Sequence, residues 1–578
     1  ANSTRQLFTF DSGGAAPRSF AWGSLTATEQ GYFSNKGSLL TQYATLGGAD
    51  QATLDSGANM FAFVAGDQTG IGTIFRNRNW LLGDIVHSKP AYTRVPSRGY
   101  TDSGYSSFVN SKLTRKGALY VGANDGMIHA FEGNTGQELW AYVPKMVMPN
   151  LFRLAEKSYA TNHRFFVDGE SIVADAKLSG GWKTLYVTGM GKGARGFVAL
   201  DVTDPDNPVP LWEFCHDASL CNVTDPDVGY SFGNPILTKW KPGTAAAKWV
   251  VIVSSGYNNV SPGNGQGWLY MLDAETGAIL SKTSTGTGST TTPSGLGRIN
   301  AWVEYPYQDN TALYVYGGDL NGDVWRFDLT ATPSGGSPSQ VPFIRFTSFL
   351  NETGAGQRQP VTTKPELVLC GGYRMVLFGT GRLLGQPDIL NKEVQSIYGL
   401  VDHGNTIGTG ANPSARNWDL VRQSTNLVFD VNGNVNVGLS TYTNNFVNPA
   451  PGQDNGWFMD LSAGQRVNID PLVGLGTLVM TANDPDAASS NSASCVQSGS
   501  SVTYMLAACS GALLGDAASA SAAAYKSDSK AGHTAFQLPD GRLFLLDVYT
   551  SGRKQVKAFP PPAQNSSGQR VSWRELIQ

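Results

Sequence analysis

Charge is scarce in this chain. Only 15% of its 578 residues are Asp, Glu, Lys or Arg, and the formal net charge is −3. So weak a field does not mark the whole chain as a binder of nucleic acid or acidic membranes. No apolar run approaches the ~20 residues that span a bilayer, and no charged-then-apolar secretory leader opens the chain. It begins at Ala1 rather than methionine, which reads as a processed product or, in preference, a piece of something longer. Six histidines (His87, His129, His163, His216, His403, His533) are scattered, without a His-x-x-x-His or Gly-x-Ser-x-Gly arrangement, so none is expected to be a catalytic base. No two cysteines are adjacent. The chain is rich instead in glycine (68), proline (29) and aromatic residues (61), which suit short β-strands joined by many turns.

Seven times an apolar strand ends in an acidic or small residue and a turn, as in Leu269-Tyr270-Met271-Leu272-Asp273-Ala274-Glu275-Thr276-Gly277. The marker positions are 132, 201, 273, 328, 402, 508 and 547, separated by 39 to 106 residues and mostly by 55 to 74. One propeller blade takes ~40–50 residues, so the wider gaps must hold insertions. The expected fold is all-β: a modified seven-bladed propeller over residues 79–578, with residues 1–78 a lead-in region that packs on it. Turns at Asn124-Asp125-Gly126, Asn321-Gly322 and Asp540-Gly541 mark hairpins. Residues 283–297, 332–340 and 487–501 are Ser/Thr/Gly-rich and read as exposed loops, and 427–437 reads as an inserted hairpin turning at Asn432-Gly433. The glycine-rich run 189–196 invites a phosphate-loop reading, but a strand follows it where such a loop needs a helix, so a hairpin loop is expected.

The five cysteines read as two local pairs and one single residue. Cys215 and Cys221 flank a short polar loop, Cys495 and Cys509 bracket a Ser/Gly-rich stretch, and Cys370 continues an apolar strand as a free core residue. Zinc competes for the pairs, but the spacers lack the second pair of a zinc framework. Disulfides imply an extracytoplasmic protein. For calcium the candidates are Asp319-Leu320-Asn321-Gly322-Asp323, Asp225-Pro226-Asp227 and Asp430-Val431-Asn432-Gly433-Asn434, none with the closing carboxylate of a twelve-residue loop.

The stretches 80–90, Leu119 to Phe131, Phe166-Val167-Asp168-Gly169, Ala199-Leu200-Asp201-Val202-Thr203, Gly318 to Asp328 and Leu377 to Arg382 resemble, in order, the C-terminal propeller of the PilC/PilY family of type IV pilus tip adhesins and biogenesis factors. The resemblance implies a non-enzymatic domain at the pilus tip, the outer-membrane surface or secreted. It would support pilus assembly, the balance of extension and retraction, twitching motility and attachment. Minor pilins of the tip complex and host or abiotic surfaces are the implied partners. It also implies an N-terminal half upstream.

Calcium is the implied cofactor, held by a loop just before the Gly-Asp-Leu turn; here that place reads Tyr305-Pro306-Tyr307-Gln308-Asp309-Asn310, where Asp309 alone clearly matches a ligand. Where some members carry Arg-Gly-Asp this chain has Ala65-Gly66-Asp67, so integrin binding is not carried over. Asn134-Thr135-Gly136-Gln137-Glu138-Leu139-Trp140 also resembles the blade repeat of quinone-cofactor dehydrogenases. A quinoprotein-like enzyme or a periplasmic assembly scaffold on the same propeller is the alternative, although the adjacent-cysteine disulfide of those enzymes has no counterpart.

Overall fold

The computed structural model describes the chain except residues 1–4, 12–16, 337–338, 349–357, 408–419, 437–439, 487–498, 515–523, 539–541, 559–568 and 571–578. Among the described residues, seven sheets of three to six strands follow one another along the chain, beside a two-stranded hairpin of Thr425–Asn426 and Thr441–Tyr442. The third sheet shows the pattern plainly. Ile236–Trp240, Lys248–Ser254, Trp268–Asp273 and Ile279–Ser284 pair antiparallel in sequence order. The fourth repeats it with Ile299–Val303, Ala312–Gly318, Asp323–Asp328 and Phe343–Ser348.

The apolar cores lie between consecutive sheets. Leu185, Phe197 and Trp212 of the second sheet pack with Trp249, Val251 and Tyr270 of the third, while Val250, Ile252 and Met271 of the third pack with Ala301, Val315 and Trp325 of the fourth. The third sheet thus buries both faces, one against the sheet before and one against the sheet after. That is why its strands read as nearly continuous apolar runs, and it is the stacking that a propeller requires.

The strand-and-acid markers fall in register. Asp201, Asp273 and Asp328 each end the third strand of their sheet, Glu132 ends the third counted from Ala91–Thr93, and Asp402 and Ala508 follow directly after theirs. The seventh copy slips, because Asp547 lies within the second described strand of its sheet, Leu543–Tyr549. The run 189–196 joins the antiparallel strands Gly181–Gly189 and Gly196–Asp201, as expected of a hairpin. The inserted hairpin also turns as expected, with Phe429 bridging Val435, and Asn434 reaches back to Tyr525 of the sixth sheet.

The lead-in region is built into the first sheet. Leu7–Thr9 adds parallel to Glu138–Val143, and Arg18–Ser19 pairs with it in turn. The apolar stretch 58–64 lies in the helix Gly57–Ala65, whose Met60, Phe61, Phe63 and Val64 are buried in the same core as Met148 and Leu151.

The cysteine reading requires one correction. Cys215 and Cys221 are bridged as expected, with Cα atoms 5.9 Å apart. Cys509, however, pairs with Cys370, Cα atoms 5.5 Å apart and 139 positions distant in sequence. Cys370 ends the first strand of the fifth sheet, Glu366–Cys370, and Cys509 follows the third strand of the sixth, Ser500–Ala507. The bridge staples two neighbouring sheets rather than closing a local loop. Cys370 is buried as its apolar strand implied, but it is not free. Cys495 lies outside the described residues.

Candidate functional site

In a ring of sheets the starts of the innermost strands face one another across the axis, and charge gathers there. Lys89 lies two residues before Ala91–Thr93, Glu170 directly before Ser171–Leu178, Arg298 directly before Ile299–Val303, and Asp470 two residues before Leu472–Gly474. The Arg298 guanidinium is 2.6 Å from Glu170 Oε2 and also meets Asp470 Oδ2. Lys89 Nζ lies 3.1 Å from Glu170 Oε1 and 3.4 Å from Asp470 Oδ2. Asp470 further accepts from the Lys364 backbone N–H at 2.9 Å, and its carbonyl contacts His533 Nε2 at 2.9 Å. Residues of the first, second, fourth, fifth, sixth and seventh sheets thus meet in one ionic knot. Burial alone would raise the Asp470 pKa, but Arg298 and Lys89 outweigh it and hold the carboxylate below its usual range. His533 is pushed down to about 4 by burial and by Lys530, which keeps the ring neutral. The knot ties these sheets to one another through side chains.

The strap 80–90 belongs to the same structural role. Its Gly83 N–H donates to Asp125 Oδ2 at 3.1 Å, and the Asn124 N–H donates to Asp84 O at 3.0 Å. A Cβ on Gly83 would lie 2.2 Å from the Asp125 nitrogen, so this approach requires glycine. His87 binds Asp168 through its backbone N–H (2.9 Å) and through Nδ1 (2.6 Å). His129 is enclosed by Asp125 and Glu138. Burial opposes its charge, but the two carboxylates prevail and raise its pKa to about 9. Both histidines serve as tethers here.

A cleft of about 900 Å³ opens between the fourth and fifth sheets, lined by Trp302, Tyr314, Arg326, Tyr373, Arg374 and His403 among others. Asp402 is its fixed point. Its fully buried carboxylate accepts from Tyr316, lies 2.9 Å from Arg326 Nη1 and 3.4 Å from Arg374 Nε, and accepts the Gly404 N–H at 2.8 Å. The two guanidiniums stand 5.3 and 4.5 Å from the Tyr314 ring centre. Two cations against one buried anion, set on aromatic faces, form a lining suited to ring-bearing or carboxylate-bearing groups. Glu304 and the exposed Tyr307 stand at its edge.

The calcium candidates are engaged by the chain itself. Asp319 Oδ1 accepts the backbone N–H groups of Asn321 (2.9 Å) and Asp323 (3.0 Å), and its Oδ2 accepts the Trp325 indole N–H at 3.1 Å. Asp430 accepts from the backbone of Asn432 and Asn434, both at 2.8 Å. Asp225 and Asp227 both bind Lys282 Nζ, at 2.9 and 2.7 Å. Asp309 Oδ1 lies 2.6 Å from Lys239 Nζ. Calcium asks for ~6–8 oxygens, and at each of these places a carboxylate oxygen already meets an N–H or ammonium of the chain. Among the described residues no group of three or more His, Cys, Asp or Glu could hold a metal ion.

Comparison with known proteins agrees with this architecture. The family model for the PilY1 beta-propeller domain matches residues 82–430. The type IV pilus biogenesis factor PilY1 of Pseudomonas aeruginosa (strain PAK) is 32% identical over 527 residues, covering 84% of this chain and 43% of that protein. A PilY1 homolog of Xylella fastidiosa (strain Temecula1) is 31% identical over 561 residues, covering 91% of this chain and 42% of its own. The chain thus spans less than half the length of these relatives. The crystal structure of the P. aeruginosa PilY1 C-terminal domain superposes with a TM-score of 0.60 at 25% identity, covering 82% of this chain and 100% of that one. By its consecutive stacked sheets, its ordered motifs and these matches, the chain belongs to the PilY1 β-propeller family.

Proposed function

We propose that this chain is the non-enzymatic propeller of a type IV pilus biogenesis and adhesion factor, working outside the cytoplasm at the cell surface or pilus tip. The observation that carries this reading is similarity over most of the chain to proteins named type IV pilus biogenesis factors, joined to a matching propeller. Two disulfides support the extracytoplasmic location. No helix among the described residues is long and apolar enough to cross a membrane. In this reading the braced wheel is a rigid mount, and the clefts and loops on its rim meet minor pilins or a host or abiotic surface. Rigid scaffolds of this kind bind through the loops between their repeats. The quinoprotein alternative draws no support from the adjacent-cysteine disulfide of those enzymes, since the two bridges here join Cys215 to Cys221 and Cys370 to Cys509.

The test is genetic. A strain lacking the full-length protein should lose surface pili, twitching and attachment, and plasmid-borne expression should restore them. Normal piliation and twitching in the deletion strain would refute the proposal.

A further inference from the structure

Three chain segments meet at one ammonium group. Lys239, on the innermost strand of the third sheet, places Nζ 3.1 and 3.0 Å from the two oxygens of Asp102 and 2.6 Å from Asp309 Oδ1. Asp102 belongs to the excursion that leaves the first sheet after Ala91–Thr93, and Asp309 to the 305–310 segment of the fourth. The Lys239 side chain is 7% exposed, against 26% for Asp102 and 49% for Asp309. Backbone bonds fix the same junction. The Lys239 N–H donates to Asn310 O (2.8 Å), Gly99 N–H to Tyr307 O (2.9 Å) and Thr101 N–H to Gln308 O (2.9 Å).

The resemblance of the sequence put a calcium loop at 305–310, and the residues present do not fit one. Both carboxylates already share a positive charge that is covalently part of the chain. A divalent ion placed there would face the ammonium, and like charges a few ångströms apart repel strongly at a partly buried site. Lys282 stands in the same relation to Asp225 and Asp227, so the arrangement occurs twice.

We propose that Lys239 is the built-in cation of this loop, and that the conformation of 305–310 is set without calcium. A dissociable ion makes a loop conditional on its concentration. A tethered ammonium holds the junction between the first, third and fourth sheets closed at every calcium level. The inference concerns only this chain's own residues, and it stands whether or not the pilus role does.

The test uses the purified protein in EGTA and in millimolar calcium, read by thermal melting, calorimetric titration and backbone hydrogen exchange over 305–311. The wild type should give one melting temperature in both conditions and no calcium-binding heat. Lys239→Met should melt a few degrees lower, because it leaves two carboxylates unpaired, with exchange over 305–311 accelerated. Should that variant fail to fold, Asp309→Asn, altered at a half-exposed side chain, should still fold and show the faster exchange. A wild-type melting temperature that rises in calcium, with the rise abolished by Asp309→Asn, would overturn the proposal. So would exchange over 305–311 unchanged in both variants.

Discussion

Breaking the staple between the fifth and sixth sheets should weaken the wheel more than breaking the local bridge of the second. Cys370–Cys509 closes 139 positions of chain, whereas Cys215–Cys221 closes six. On the chain-entropy account the long bridge removes about 5 kcal/mol of freedom from the unfolded state, and the short one about 2 kcal/mol. Unfolding entropy of about 2 cal/mol/K per residue means that a cooperative unit of ~500 residues loses roughly 1 °C per kcal/mol. Cys509→Ser should therefore lower the melting temperature by about 5 °C if the wheel melts as one unit, and by more if the two stapled sheets melt first. Cys221→Ser should lower it by about 2 °C on the same scale. Calorimetry at one fixed scan rate measures both, since proteins of this size often unfold irreversibly. A non-reducing peptide map of the wild type should join the Cys370 and Cys509 peptides, and alkylation in denaturant should label Cys495. A peptide joining Cys495 to Cys509, or equal melting of Cys509→Ser and wild type, would refute the reasoning.

Two further substitutions test the interior. Glu213 is fully buried, accepts from the Tyr142 hydroxyl at 2.7 Å, and has its pKa pushed up to about 7 by burial against the opposing pull of Tyr142 and Lys145. A carboxyl raised on folding stabilises fully below its unfolded pKa near 4.5, and that contribution fades as pH rises through about 7. The loss is about 3 kcal/mol. Glu213→Gln should therefore show a smaller fall, or a larger rise, in stability than wild type between weakly acidic and weakly alkaline pH, and parallel profiles would count against it. Arg298→Ala removes one of the two cations, with Lys89, that join Glu170 to Asp470. With the side chain 20% exposed, the expected loss is about 2–4 kcal/mol by denaturant titration, and an unchanged midpoint would mean that the axial knot braces nothing.

The sheets were legible in the sequence because strand alternation and turn chemistry are local. Glu132, Asp201, Asp273 and Asp328 mark strand ends without reference to anything distant, and the glycines at 126 and 322 supply the positive φ of 92° and 80° that their hairpins need. What escaped was contact between sheets. The pairing of Cys509 follows from the fifth and sixth sheets lying side by side, and no spacing rule within one sheet predicts it. The Lys239 junction draws on positions 102, 239 and 309, which packing of the excursion after Ala91–Thr93 against the third and fourth sheets brings together. Asp309 drew notice for its carboxylate alone, while its partner lay in an apolar strand 70 positions away. The ionic knot did leave a signal: Glu170, Arg298 and Asp470 sit one or two positions before the first strand of their sheets, and Lys89 two before Ala91–Thr93. Aligning the repeats by their first strands rather than by their acidic markers would have exposed that column of charge.

The central claim is that this wheel belongs to the pilus machinery, and the most direct measurement is its location. Pili sheared from cells that make the full-length protein should carry it in the pilus fraction, and cross-linking there should join residues of this chain to minor pilins. Recovery of the protein wholly apart from pili, with no pilin cross-link in cells that are fully piliated, would contradict the account.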